Sequence, residues 1–305
     1  MGFWSLNPYV GCEFGCSYCY ARFAHRYVSE RTAQEGASFE HQIYVKSVAQ
    51  VLAALDRDLP GLRRRNQHER QNLVIGTSTD PYQPAERSYR VTRAVLERLL
   101  AERGIKLGVI TKSPLVVRDL DLLVRLGERH DVTVYVSLIS EDPNIIRAFE
   151  ARSPMPHARL RALGKLTRAG VRAGLMVAPV LPGITDTGPK VSALMRAAAR
   201  AGAHFVFPSV LRLYPDAVRN FLPIVERERP DLSVRYRAAY ARGRDAPRAY
   251  LEAVRRRFER VAARYGIAGT DSERERPAPR AESRTPQLGL WQPPDPTPHP
   301  VTGHR

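Results

Sequence analysis

Three cysteines, Cys12, Cys16 and Cys19, lie within the segment NPYVGCEFGCSYCYARF at spacing C-x3-C-x2-C, and the 305-residue chain has no others. Thiolates are soft donors that suit zinc or iron–sulfur clusters. A structural zinc site takes four protein ligands, and a fully ligated cubane takes four cysteines. Three thiolates would therefore leave one cluster iron without a protein sulfur, free to bind a small molecule and act on it. Gly11 and Gly15 give the loop the backbone freedom to wrap a compact object, and Tyr18 places an aromatic ring where a bound cofactor could rest. The alternative is a zinc site completed by a histidine such as His25 or His41, although local zinc spacings usually pair two C-x-x-C knuckles.

The elements that must hold this loop follow from hydrophobic periodicity. A first strand is expected over Trp4 to Val10, ending where the cysteines begin, then a helix over Arg22 to Val28 and an irregular insertion over Ser29 to Gln42. Val48, Val51, Leu52, Leu55 and Leu59 fall on one face of a helix that Pro60 is expected to close. The run GLRRRNQHER reads as a charged loop or frayed helix end. From there strands alternate with helices: NLVIGTS, a helix from Val91 to Glu102, IKLGVIT, a helix from Leu115 to Gly127, and VTVYVSLI. Helices over Asn144 to Phe149 and His157 to Arg168, the strand VRAGLMVAPV, a helix over Val191 to Arg200 and the strand AHFVFPSV complete the series.

Such alternation implies parallel β-α units with right-handed crossovers. Six strands fall short of the eight of a closed barrel, so the expected fold is α/β, an open partial (β/α)6 barrel over residues 1–212. Functional groups in such barrels sit at the C-terminal ends of the strands. That rule brings the cysteines, Thr77 to Asp80, Lys112, Ser137 and Ala178 to Asp186 toward one mouth. Residues 213–267 read as an arginine-rich helical extension, with Leu251, Val254, Phe258 and Val261 on the apolar face of its last helix. Residues 268–305 are proline-rich and charged, the composition of a disordered tail, with Leu288 to Trp291 a weak docking spot at most.

Composition narrows the setting. Clustered cysteines with none elsewhere argue against a disulfide scaffold and for a reducing cytoplasm. No apolar run approaches the ~20 residues of a membrane span, and the start MGFWSLNPYV has no secretory pattern. The formal net charge of +17, from 48 basic and 31 acidic residues, is what contact with a nucleic-acid backbone would need. Only five of the basic residues are lysines, however, and GC-rich coding gives the same arginine skew.

The cysteine loop resembles that of the radical S-adenosylmethionine enzymes. The segments GTSTDPYQPAE, ITKSPLVVRDLDLL and APVLPGITD extend the resemblance to their spore photoproduct lyase-like branch, over roughly residues 5 to 225. The resemblance implies a [4Fe-4S] cluster on Cys12, Cys16 and Cys19, with S-adenosylmethionine chelated at the open iron and cleaved to a radical that abstracts hydrogen. It further implies cofactor contacts at Tyr18, Thr79, Lys112, Ser137 and Ala178 and an electron donor such as flavodoxin or ferredoxin. Lys112 has its own rationale, a point charge offered to the cofactor's carboxylate. In lyases of this branch a cysteine of the second loop returns hydrogen to the substrate radical, relayed by two tyrosines flanking the last cluster cysteine. Here the tyrosines stand, as Tyr18 and Tyr20, but the cysteine position carries Thr77. A threonine O–H is a poor hydrogen-atom donor; Tyr20 is the candidate catalytic residue, with the equal alternative that Tyr18 and Tyr20 are both aromatics packed on the cofactor. Two other readings stay open: a thymine-dimer lyase, and a non-catalytic basic nucleic-acid-binding protein with a structural or redox-sensing cluster.

Overall fold

A computed structural model describes residues 3–22, 39–68, 72–241 and 243–267. Its centre is a six-stranded parallel sheet built from β1 (Trp4–Leu6), β4 (Asn72–Ile75), β5 (Lys106–Thr111), β6 (Asp131–Ser137), β7 (Arg172–Val180) and β8 (Val206–Val210), in that spatial order. Every neighbour in the sheet is also the next strand of this series, and β1 does not pair with β8, so the barrel is open on that side. A separate antiparallel pair, β2 (Tyr9–Val10) with β3 (Tyr44–Val45), lies beside the cysteines.

The helices are α1 (Val48–His68), α2 (Glu86–Tyr89), α3 (Val91–Leu99), α4 (Leu120–Gly127), α5 (Pro143–Phe149), α6 (Pro156–Arg168), α7 (Gly188–Arg200), α8 (Pro215–Glu228), α9 (Pro230–Tyr240) and α10 (Arg248–Arg264). Several start on proline, whose fixed φ and missing N–H suit a first turn. Asp142 caps α5 by accepting from the Asn144 amide at 2.9 Å. Val51, Leu55, Leu59 and Leu62 of α1, Val95 and Leu99 of α3, and Leu163 and Leu166 of α6 are buried in one continuous core with Val134, Val136, Leu175 and Val177 of the sheet. No helix among the described residues is long and apolar enough to cross a membrane.

The structure revises several sequence expectations. The first strand is two: Asn7 and Pro8 interrupt it, because the Asn7 side chain is drawn into the next loop and proline cannot donate to a ladder. Helix α1 does not stop at Pro60 but continues through it to His68. Leu59 and Leu62 are both buried, and that packing outweighs the one lost hydrogen bond. The segment before α4 begins as a 3-10 turn, Pro114–Asp119, and α3 ends at Leu99 rather than Glu102. On α10, Val254, Phe258 and Val261 are buried as expected, but Leu251 is exposed. The expected helix after Arg22, most of the insertion and the tail with Leu288 to Trp291 lie outside the described residues.

Candidate active site at the C-terminal ends of the strands

The cysteine loop leaves the β1–β2 segment through Gly11, at φ +84, and turns again at Gly15, at φ +58. The turn at Gly11 is tight: a Cβ there would stand 2.7 Å from the Gln42 carbonyl oxygen. Backbone amides then fold the loop on itself, Gly15 donating to the Cys12 carbonyl at 3.3 Å and Cys19 to the Cys16 carbonyl at 3.2 Å. Arg22 closes it from behind, giving Nη2 to the Cys16 carbonyl at 3.1 Å and Nη1 to Glu40 at 2.7 Å.

All three thiols are free; Cys12 and Cys16 are buried and Cys19 is half-buried. Burial pushes each thiol above its ordinary value, Cys16 up to about 12 even though Lys112 pulls it down. Such thiols are poor anions by themselves and need a bound cation to lose their protons. Among the described residues no group of three His, Cys, Asp or Glu side chains could hold a metal ion. The His41 ring faces Arg152, with Nη2 3.1 Å from Nε2, while His25 lies outside the described residues. Three free thiols on one short loop are soft donors of the kind that would hold an iron–sulfur cluster.

The second loop, after β4, docks on the first. Asn7 is its organiser: Oδ1 accepts from the Ser78 amide at 2.8 Å and the Thr79 amide at 3.3 Å, while Nδ2 donates to Ser5 at 2.9 Å and Thr77 at 3.1 Å. The Thr79 hydroxyl donates to the Tyr9 carbonyl at 3.3 Å and is buried. Asp80 accepts from the Thr111 hydroxyl at 2.7 Å, the Lys112 amide at 2.6 Å and the Tyr82 amide at 2.9 Å, but burial still raises its carboxyl above the ordinary range. The Tyr20 hydroxyl donates to the Thr77 carbonyl. Burial of that hydroxyl end, with the Cys19 sulfur as a lesser influence, pushes the Tyr20 phenol up to about 12. The Tyr20 ring lies 5.9 Å from that of Tyr214, and the Arg244 guanidinium sits 5.1 Å from the Tyr214 centroid. Tyr20 thus stands after β1 and Tyr214 after β8, on the two sides of the open seam.

Sheet register brings the next pair together. Thr111 is paired with Val136, so Lys112 and Ser137 leave adjacent strands side by side, with Nζ 3.0 Å from the serine Oγ. Behind them lies a fully buried network that the sequence did not announce. Glu150, just past α5, accepts from the Tyr18 hydroxyl and from Arg159, from Ser153 at 2.8 Å, and has Lys112 Nζ at 3.7 Å. Arg159 also donates to the Ser137 carbonyl at 2.9 Å and the Pro154 carbonyl at 2.7 Å. Burial by itself would raise the Glu150 carboxyl; the Arg159 and Lys112 charges overcome it and hold it at about 2. Burial likewise opposes the Lys112 charge, and Glu150 restores it, leaving the ammonium above its ordinary value. The only sequence signal was an acid and an arginine flanking a short helix, which ordinary surface helices also show.

Ala178 lies at the same end of the sheet, half-buried in the last part of β7. The loop beyond it is gripped from the C-terminal helices. Tyr236 donates to the Pro182 carbonyl at 2.8 Å, Arg229 to the Gly183 carbonyl at 3.0 Å, and Tyr250 to the Asp186 carboxylate at 2.6 Å. Arg257 donates to the Asp186 carbonyl. A cavity of about 400 Å³ separates this loop from the helices, lined by Pro182, Leu232, Tyr236, Tyr240 and Tyr250 among others. Of the sequence-predicted residues, then, Cys16, Tyr18, Lys112 and Ser137 converge around Glu150. Thr79 is bound to the cysteine loop through Tyr9, whereas Ala178 and Tyr20 stand at separate edges of the mouth.

The chain is thus an open parallel α/β barrel with a three-thiol loop after its first strand. A family model described as the Radical SAM superfamily matches residues 6–192, and the chain belongs to that superfamily. Membership brings with it the cofactors of the family, a [4Fe-4S] cluster and S-adenosylmethionine. The chain is 37% identical over 276 residues to an uncharacterized protein of Mycobacterium tuberculosis, covering 90% of this chain and 77% of that one. It is 29% identical over 212 residues to an uncharacterized protein of Acidianus two-tailed virus, covering 68% and 67%. Among solved structures it is similar to a spore photoproduct lyase mutant with AdoMet and dinucleoside spore photoproduct bound. There the TM-score is 0.63 at 16% identity, over 87% of this chain and 75% of that one. That likeness is one of fold.

Proposed function

We propose that this radical SAM enzyme binds its cluster through Cys12, Cys16 and Cys19, cleaves S-adenosylmethionine reductively, and abstracts hydrogen from a nucleic-acid substrate at the open mouth of the barrel. The observation that supports the reading most directly is a loop of three free thiols, two of them buried, of which Cys16 and Cys19 feel the charge of Lys112 in the Lys112–Ser137 pair. When bound, the cluster and S-adenosylmethionine together supply a 5′-deoxyadenosyl radical. Lys112 and Ser137 would orient the cofactor's carboxylate through a charge-assisted contact, Tyr18 would wall the space beside them, and Thr79 from the second loop and Ala178 from the end of β7 would border the rest of the cofactor. Tyr20, at the seam, would give a hydrogen atom to the substrate radical, its phenolic O–H being weaker than the aliphatic O–H of Thr77. The phenoxyl radical left behind would be restored by a proton from solvent and one further electron from the same flavodoxin or ferredoxin that reduces the cluster. Electrons come from a flavodoxin or ferredoxin in a reducing cytoplasm, and the charge of +17 supports the nucleic-acid assignment.

A thymine-dimer lyase is the second reading, favoured by the fold likeness to spore photoproduct lyase. Against it, Thr77 offers no thiol, and its hydroxyl is engaged with Ser5 and Asn7. The test is anaerobic reconstitution with iron and sulfide, reduction, and assay for 5′-deoxyadenosine. Formation by the wild-type chain and its loss in Cys16→Ser is the expected result. A chain that loads a cluster but yields no 5′-deoxyadenosine would be a binding protein instead. Label passed from deuterated oligonucleotides into 5′-deoxyadenosine would identify the substrate; label passing only from non-nucleotide compounds would exclude nucleic acid.

A further inference from the structure

The Cys16–Cys19 segment does not hang free at the mouth. Its two intervening residues are fastened to the end of α5. The Ser17 amide donates to the Phe149 carbonyl at 3.0 Å and the Ser17 hydroxyl to the same carbonyl at 3.1 Å. One residue on, the Tyr18 hydroxyl reaches the carboxylate of Glu150. The two oxygens of that carboxylate face different ways. Oε1 takes Tyr18 and lies 3.7 Å from Lys112 Nζ, while Oε2 takes Arg159 and Ser153. Arg159 in turn is tied to the carbonyl of Ser137, the residue whose hydroxyl meets Lys112. Glu150, Arg159, Ser153, Ser137 and Tyr18 are all buried. Within this group, Arg159 and Lys112 against Glu150 leave one positive charge in excess, which suits the approach of an anionic group from the mouth.

We infer that Glu150 is a positioning residue: one carboxylate oxygen meets both Tyr18 and Lys112 while the other is held by Arg159 and Ser153, so it fixes the cysteine loop and the lysine that follows β5 as one preformed unit before any cofactor arrives. The inference rests on the reading that the three cysteines hold the cluster. Its physical basis is that a flexible three-thiol loop would have to be ordered at the moment of metal binding, with the loss of affinity that ordering brings. A loop already hydrogen-bonded to a charged buried acceptor avoids that loss, as outer partners of metal ligands generally do.

Two variants separate positioning from folding. Tyr18→Phe removes only the bond between the cysteine loop and Glu150 and leaves the Glu150–Arg159 pair whole. Glu150→Gln keeps an acceptor near Tyr18 but removes the charge that Arg159 and Lys112 share. The reconstituted proteins are challenged anaerobically with an iron chelator, without S-adenosylmethionine, and iron release is followed by absorbance. Loss of a hydrogen bond to a charged group predicts release roughly tenfold faster or more in Tyr18→Phe. The far-ultraviolet dichroism and urea midpoint of that variant should stay close to wild type. Glu150→Gln should also weaken S-adenosylmethionine binding in equilibrium dialysis, and Glu150→Asp, too short to span Tyr18 and Arg159, should not rescue either defect. Release within twofold of wild type in a folded Tyr18→Phe protein would overturn the inference. So would faster release that only tracks a fall in the urea midpoint. Failure of the wild-type chain to load iron would instead overturn the cluster assignment, so the two failures are distinguishable.

Discussion

Replacing Arg159 with leucine asks how strongly the buried network is held. The guanidinium and the Glu150 carboxylate are both fully buried, and the arginine serves two carbonyls and Ser153 besides. Removing one partner of a buried pair typically costs about 3–5 kcal/mol, because the other charge stays behind in low dielectric. Lys112, 3.7 Å away, compensates in part, so a loss near 3 kcal/mol at pH 7 is expected. The pH dependence supplies a sharper test. The Glu150 carboxyl is depressed from 4.5 to about 2. Its contribution is therefore fully present above pH ~4.5 and disappears as pH falls toward 2. Two to three pKa units correspond to about 3 kcal/mol. In Arg159→Leu the carboxyl rises, so it protonates on mild acidification and sheds its penalty. The gap between variant and wild type should thus narrow between pH 7 and pH 4. Urea unfolding of the reduced, cluster-free chains, followed by circular dichroism at both pH values, measures it. A loss under about 1 kcal/mol, typical of exposed pairs, or the same loss at both pH values, would refute the reasoning.

Other outcomes follow from single contacts. Lys112→Met should raise the dissociation constant for S-adenosylmethionine about 10- to 150-fold, the worth of one charge-assisted hydrogen bond. Equilibrium dialysis checks it, and a change under threefold would remove the lysine from the cofactor site. Gly11→Ala meets a left-handed φ of +84 and the Gln42 carbonyl at 2.7 Å. It should destabilise the chain by about 1–3 kcal/mol and lower the iron bound per chain on reconstitution. Tyr236→Phe deletes the bond to the Pro182 carbonyl. It should speed hydrogen exchange in the loop after β7 roughly fivefold, for about 1 kcal/mol lost, with the cysteine loop unaffected.

The alternation of elements was legible because buried parallel strands and amphipathic helices write different periods into the chain, as VTVYVSLI and the face Val51, Leu55, Leu59 do. The cysteine loop was legible because thiols are rare and their chemistry dictates their number. The break at Asn7–Pro8 was not, since an apolar run from Trp4 to Val10 hides that one side chain is claimed by residues 77 to 79. Helix α1 passing through Pro60 was missed because local propensity was weighed without the packing of Leu62. Glu150 and Arg159 were invisible for a related reason. Their meaning lies in partners at positions 18, 112 and 137, from three different strand ends, and no spacing within the segment marks it.

The loop that follows β7 has its own consequence. Its carbonyls and Asp186 are held by Tyr236, Arg229, Tyr250 and Arg257, side chains that belong to α9 and α10 or to the turn before α9. One lip of the mouth is therefore tailored by a part of the chain that supplies no thiol and no lysine. Lengthening, shortening or recharging those helices would reshape what can enter while leaving the cysteine loop alone. A lineage could exchange one clientele for another in this way without reinventing its radical chemistry.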